Sequence, residues 1–297
     1  MMSEFPHSRK YLSELLLLVV VLVWGSNYPL AKYAISGFDP FVFNGIRYSV
    51  ATVTVAMLFF ARSSWQKIER VDRANILGVG VVGSILYQIA FILGLSMTTA
   101  GNSAVLMSTS PLWTIVFNAR LHKEKIRVMT FVGMIISLCG VMMIIIGSGK
   151  KLQLGSNELF GDLITLAASA LWALNTNLQK PLLSKYSTGQ VTLMLLGVGA
   201  VGLSIIAAPL AVNIAWSSVH WTYYLATVAS GALSIGVANL FWSNGVKRLG
   251  PSSTANFSNL VPVVAFIISY IAFREHLLQI QFIGAAVTIL GVWIARK

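Results

Sequence analysis

Asn27 and Asn175, Gln88 and Asn239, and Ser108 and Asn259 are polar residues set in long apolar stretches of a 297-residue chain. A neutral amide or hydroxyl in hydrocarbon is costly unless it meets another polar group, so each must face a cavity or a neighbouring helix. As a set they would form a hydrogen-bonding cage for a polar solute; the bland alternative is that they only tie helices together. Trp24, Trp172 and Trp242, with Tyr87, add broad faces for stacking on a planar or apolar group, or for packing alone. Lys32 and Arg47 are the basic residues well inside apolar stretches, and a fixed positive pair there could attract a carboxylate or phosphate. The competing reading has both snorkelling to the outer interface with Asp39 as partner. Pro111 and Pro262 each delete a backbone donor, marking a hinge or a fixed bend.

The elements that carry these residues follow from composition. A chain with 56% hydrophobic and 10% charged residues has no water-soluble surface, and is neither disordered nor fibrous. A bilayer span takes about 20 apolar residues, so the uncharged runs 74–119 and 186–246 must fold back on themselves. Cutting at short polar joints predicts ten helices near 13–35, 41–61, 74–95, 101–120, 128–147, 159–180, 190–212, 221–245, 253–273 and 279–296. The first has a basic start like a signal peptide, but its apolar core runs past Trp24 and Asn27 with no cleavage site, so it is read as retained.

Charge sets the orientation. The net charge of +12 would suit a polyanion if the basic residues formed a patch, but they do not. With the N-terminus inside, sixteen of the 21 Lys and Arg fall in cytoplasmic segments and only Lys150, Lys151 and Arg274 fall outside. The positive-inside rule therefore accounts for the surplus, with both termini cytoplasmic and no nucleic-acid partner. The single cysteine, Cys139, excludes an intramolecular disulfide.

The second half repeats the first. At an offset of 148 residues Trp24, Asn27 and Lys32 meet Trp172, Asn175 and Lys180; at 151, Gln88, Ser108, Pro111 and Glu124 meet Asn239, Asn259, Pro262 and Glu275. Five spans per half is an odd number, so the halves, 1–147 and 159–297, would lie upside down relative to one another. The expected fold is an all-α integral membrane protein of ten transmembrane helices in two inverted five-helix repeats. Gly133-x-x-x-Ser137 and Gly284-x-x-x-Thr288 read as sites of close helix packing.

Trp24-Gly25-Ser26-Asn27, the stretch from Gly101 to Pro111, and Glu124, Gly133, Gly140 repeated as Glu275, Gly284, Gly291 resemble the drug/metabolite transporter superfamily, specifically its ten-helix EamA branch. The resemblance covers both halves. It implies a bacterial inner-membrane carrier whose central cavity is formed by helices 1, 3, 4, 6, 8 and 9, with helices 5 and 10 peripheral. It leaves the substrate open among amino acids, nucleobases, vitamins and other metabolites. Where the related small multidrug exporters place an essential first-helix glutamate, this chain has Trp24.

No metalloprotease, Walker or nucleophile-elbow motif occurs, and His7, His122, His220 and His276 fall in tails or joints, so no catalytic residue, metal or cofactor is expected. With no carboxylate near mid-span, facilitated diffusion or exchange is favoured over proton-driven export. The expectation is a secondary transporter, exporting or exchanging an amino acid or similar zwitterion by alternating access, compatible with a monomer. Substrate contacts are assigned to Trp24, Asn27, Gln88, Ser108, Trp172, Asn175, Asn239, Trp242 and Asn259. The alternative is a flippase or binding protein for an anionic membrane lipid, with Lys32 and Arg47 on the headgroup.

Overall fold

The computed structural model describes residues 5–61, 63–97, 103, 106–123, 125, 127–147, 156–264, 267 and 278–295. Regular structure among them is helical: α1 (Phe5–Ile35), α2 (Pro40–Phe60), α3 (Arg70–Met97), α4 (Ser110–His122), α5 (Val128–Gly147), α6 (Ser156–Lys185), α7 (Thr188–Ala211), α8 (Trp221–Leu249), α9 (Pro251–Ala255, continuing as a 3₁₀ turn Asn256–Leu260) and α10 (Gln279–Ala295). Five segments, Pro40–Phe60, Arg70–Met97, Leu159–Lys185, Thr188–Ala211 and Trp221–Leu249, are long and apolar enough to cross a membrane. Glu124 and Glu275, with the outer basic residues Lys150, Lys151 and Arg274, lie outside the described residues.

Local chemistry sets the helix ends. Asp39 caps α2, its Oδ1 accepting from Phe41 N at 2.8 Å and Val42 N at 3.4 Å, with Pro40 at the first position, where its missing N–H costs nothing. Ser187 caps α7 through Gln190 N. Gly250, at φ 83°, takes a left-handed turn that a side chain would resist, and Pro251 restarts the chain as α9.

α6 runs further than its sequence suggests. Lys180 to Lys185 read as a loop, yet the helix continues to Lys185 with Pro181 inside it. Pro181 cannot donate to the carbonyl four residues back, Asn177 O. That carbonyl meets His122 Nε2 at the end of α4, 3.2 Å away, so the acceptor orphaned by the proline is satisfied from another helix. A histidine assigned to a joint thus keeps α6 intact.

The chain divides into two compact units, Met1–Ile89 with Leu178–Arg248, and Ala90–Asn177 with Leu249–Lys297. In the first, Tyr48, Ala51 and Val55 of α2 pack with Leu196 and Leu203 of α7 and Ile235 of α8. Asp72, near the start of α3, accepts from Lys185 Nζ at 3.0 Å on both oxygens and from the Tyr186 hydroxyl at 2.8 Å. Gln190 grips the Gln66 backbone from both ends of its amide, at 3.0 and 2.7 Å. In the second unit, α5 and α10 meet at a seam of small residues. Gly133 lies against the backbone of Gly291 and Ala295, Gly140 against Thr288 and Gly284, and neither leaves room for a β-carbon.

Two helices depart from α geometry. α3 carries a π turn at Val81–Leu86 and α8 one at Ser230–Val237. Shifted by the 151-residue repeat offset, 81–86 becomes 232–237, inside the second turn. Each precedes a predicted polar residue closely, Gln88 in α3 and Asn239 in α8.

Candidate functional site

In the first unit, four predicted residues gather on the π turn of α8. Trp24 and Trp242 place their ring centroids 5.0 Å apart at 39°. The Trp24 Nε1–H donates to Ser234 O at 3.1 Å. Asn27 Oδ1 accepts from the Ser230 hydroxyl at 2.6 Å. Asn239 Nδ2 donates to Ile235 O at 2.9 Å and, more weakly, to Ser234 O at 3.5 Å. A π turn leaves carbonyls off the α register, so side chains from a neighbouring helix can reach them.

These bonds orient both amides. Ser230 occupies the oxygen of Asn27 and leaves its Nδ2 without a partner among the described residues. The α8 backbone occupies Asn239 Nδ2 and leaves its Oδ1 likewise without one. Both side chains are half-buried. One donor and one acceptor, beside paired indole rings, is a complementary set for a small polar solute.

Gln88 goes elsewhere. It is buried on α3, where it and Ser84 lie against the Tyr48 hydroxyl of α2, and its Oε1 has no partner among the described residues. Arg47 does not reach an interface: it is 3% exposed, with Nη1 donating to Asn44 Oδ1 at 3.2 Å and its guanidinium 4.7 Å from the Phe43 ring centroid. Asp39, its expected partner, is spent as the cap of α2. The Lys32 side chain lies outside the described residues.

The second unit holds Ser108, Trp172, Asn175 and Asn259, all buried. Asn175 makes no hydrogen bond to another described residue. Asn259 Nδ2 donates to Ser137 Oγ on α5 at 2.5 Å, and its Oδ1 has no partner among the described residues. Pro111 sits at the start of α4, after a turn at Ser108 and Thr109; Pro262 follows the 3₁₀ turn Asn256–Leu260. Thr109 and Ser169 share a 2.9 Å hydrogen bond, and Asn177 Nδ2 donates to Thr114 O at 3.2 Å, stitching α6 to α4 and its entry turn.

Sequence reasoning missed Ser230 and Ser234. Their counterparts at the 151 offset are Val79 and Gly83, so neither position is polar in both halves. Among the described residues, no group of three His, Cys, Asp or Glu side chains is placed to hold a metal ion.

A helical membrane protein with this arrangement is a transporter. The chain belongs to the EamA-like transporter family, whose sequence profile matches residues 12–146 and again 159–296. It is 27% identical over 286 residues to "Uncharacterized transporter YyaM" of Bacillus subtilis (strain 168), covering 95% of this chain and 92% of the relative. It is 23% identical over 281 residues to "Probable terminal-alkyne amino-acid exporter" of Streptantibioticus cattleyicolor, covering 95% and 92%. A crystal structure at 18% identity superposes with a TM-score of 0.78 over 96% of this chain and 98% of the other, a likeness of fold.

Proposed function

We propose that this transporter is a secondary carrier of a small zwitterionic metabolite, an amino acid or close relative, which it exports or exchanges by alternating access. In this reading it sits in a bacterial inner membrane with ten spans, two inverted five-helix repeats and both termini cytoplasmic. Pro111 and Pro262 act as hinges. The solute is held by Trp24, Asn27, Gln88, Ser108, Trp172, Asn175, Asn239, Trp242 and Asn259, and no residue is catalytic.

The carrying observation is the cluster on the π turn of α8. Asn27 offers an N–H pair suited to a carboxylate, Asn239 offers an oxygen suited to an ammonium, and Trp24 and Trp242 supply an apolar wall. Both amides are neutral, as suits a solute without net charge. The name of the Streptantibioticus relative supports the same substrate class.

The test begins with a thermal-stability screen of the purified chain against amino acids, nucleobases, vitamins, polyamines and lipid headgroups. A solute at about a hundredfold above its Kd adds roughly 2.7 kcal/mol to the folded state. Hits are then assayed for counterflow in proteoliposomes. Asn27→Leu with Asn175→Leu is expected to abolish counterflow in a folded protein; counterflow that survives the pair would remove the assigned site. A response to anionic headgroups alone would replace the carrier reading with a flippase.

A further inference from the structure

Arg47 stands seven residues into α2, about 10 Å along the helix from Pro40. Its guanidinium stays ionised at any accessible pH, so burial at 3% exposure demands compensation. The surroundings supply little: one neutral amide oxygen at 3.2 Å, the face of Phe43, and the phenols of Tyr48 and Tyr87 nearby. No carboxylate among the described residues pairs with it; the ion pairs of this unit join Lys185 to Asp72 and Glu69.

The unspent atoms have one character. Arg47 Nε and Asn44 Nδ2 are both buried, both without a hydrogen-bond partner, and both N–H donors. The bond from Arg47 Nη1 to Asn44 Oδ1 joins the two side chains and fixes which end of the amide remains open. A rigid group with a full positive charge and idle donors is complementary to an oxyanion, and a guanidinium edge suits the two oxygens of a carboxylate.

The position relates this group to the π turn. Gly231 of α8 lies so close to the Arg47 backbone that a β-carbon there would collide with it, and the preceding residue, Ser230, holds Asn27. We propose that Arg47 and Asn44 form a buried carboxylate-binding site against the π turn of α8, receiving the carboxylate of the carried solute. That occupant rests on the zwitterion reading above; the site's preference for a carboxylate does not.

The experiment uses purified full-length chain at constant ionic strength, with sodium formate, sodium acetate or sodium chloride as the probe salt. Wild type is expected to melt several degrees higher in formate and acetate than in chloride. Arg47→Met should abolish that difference and melt no lower than wild type in chloride, because it replaces an uncompensated buried charge by an apolar chain of similar length. Arg47→Lys, which keeps the charge but loses the fork, should need roughly tenfold more formate for the same shift. Equal melting of wild type in all three salts would overturn the proposal, as would a formate response that survives Arg47→Met. An equal rise with chloride would overturn the carboxylate assignment. Counterflow that fails while the formate response persists would sink the carrier reading and leave this site standing; the converse result would do the opposite.

Discussion

Ser230→Ala removes one hydroxyl that is 1% exposed and 2.6 Å from Asn27 Oδ1. A net hydrogen bond contributes about 1 kcal/mol, and interhelical bonds in membranes average roughly 0.6 kcal/mol with a ceiling near 1.7. Ser230→Ala and Asn27→Ala should therefore couple by about 0.6 to 1.5 kcal/mol in a double-mutant cycle, measured by reversible SDS unfolding in mixed micelles. The functional counterpart follows from the same bond. With its oxygen released, the Asn27 amide can turn, so the half-saturation concentration for counterflow should rise about threefold to tenfold, the factor that such an energy represents. Folded protein with a coupling below ~0.3 kcal/mol would refute the reasoning, because Ser230 would then not orient Asn27. A coupling of the expected size with unchanged counterflow would keep the contact and detach it from transport.

His122→Leu should cost about 1 kcal/mol in the same unfolding assay, and adding Pro181→Ala should recover it, because the restored amide at position 181 can donate to Asn177 O. Gly140→Leu should lower the melting temperature through about 1 to 3 kcal/mol of overpacking at the α5 and α10 seam, while an equally large change at the open Gly197 should not. Trp24→Phe keeps the ring against Trp242 but drops the donor to Ser234 O, so about 1 kcal/mol should be lost, with the bonds of Asn239 untouched in double mutants. Single cysteines at Lys67 and Lys151, in a Cys139→Ser background, should label from opposite faces of sealed vesicles.

Helix positions were legible because charge marks the joints of a membrane chain: the expected spans near 41–61 and 190–212 fall within two residues of α2 and α7. The rule failed at α6, where Lys180 and Pro181 looked like a loop; what extends that helix is a contact from His122, which no local pattern reveals. Trp24, Asn27, Asn239 and Trp242 stood out because polar and aromatic residues inside apolar runs are expensive. The serines that organise them did not, since a serine can satisfy itself on its own helix and leaves little trace in composition. The π turns left no trace at all, for no residue type demands one. Gln88 was legible as buried and polar, but its turn toward Tyr48 depends on helix rotation, which periodicity fixes too coarsely.

A π turn adds about one residue to a helical circuit, so it resets the angular phase of everything downstream. In α8, Asn239 and Trp242 face Trp24 and Asn27 with that offset included. Deleting one residue within 230–237 would let the segment relax to α geometry and swing the remainder through about 100° without shortening the helix much. The recognition face of α8 is therefore specified by a residue count as well as by residue identity. A neighbouring transporter could reach a different solute by gaining or losing a single codon there, with every side chain otherwise unchanged.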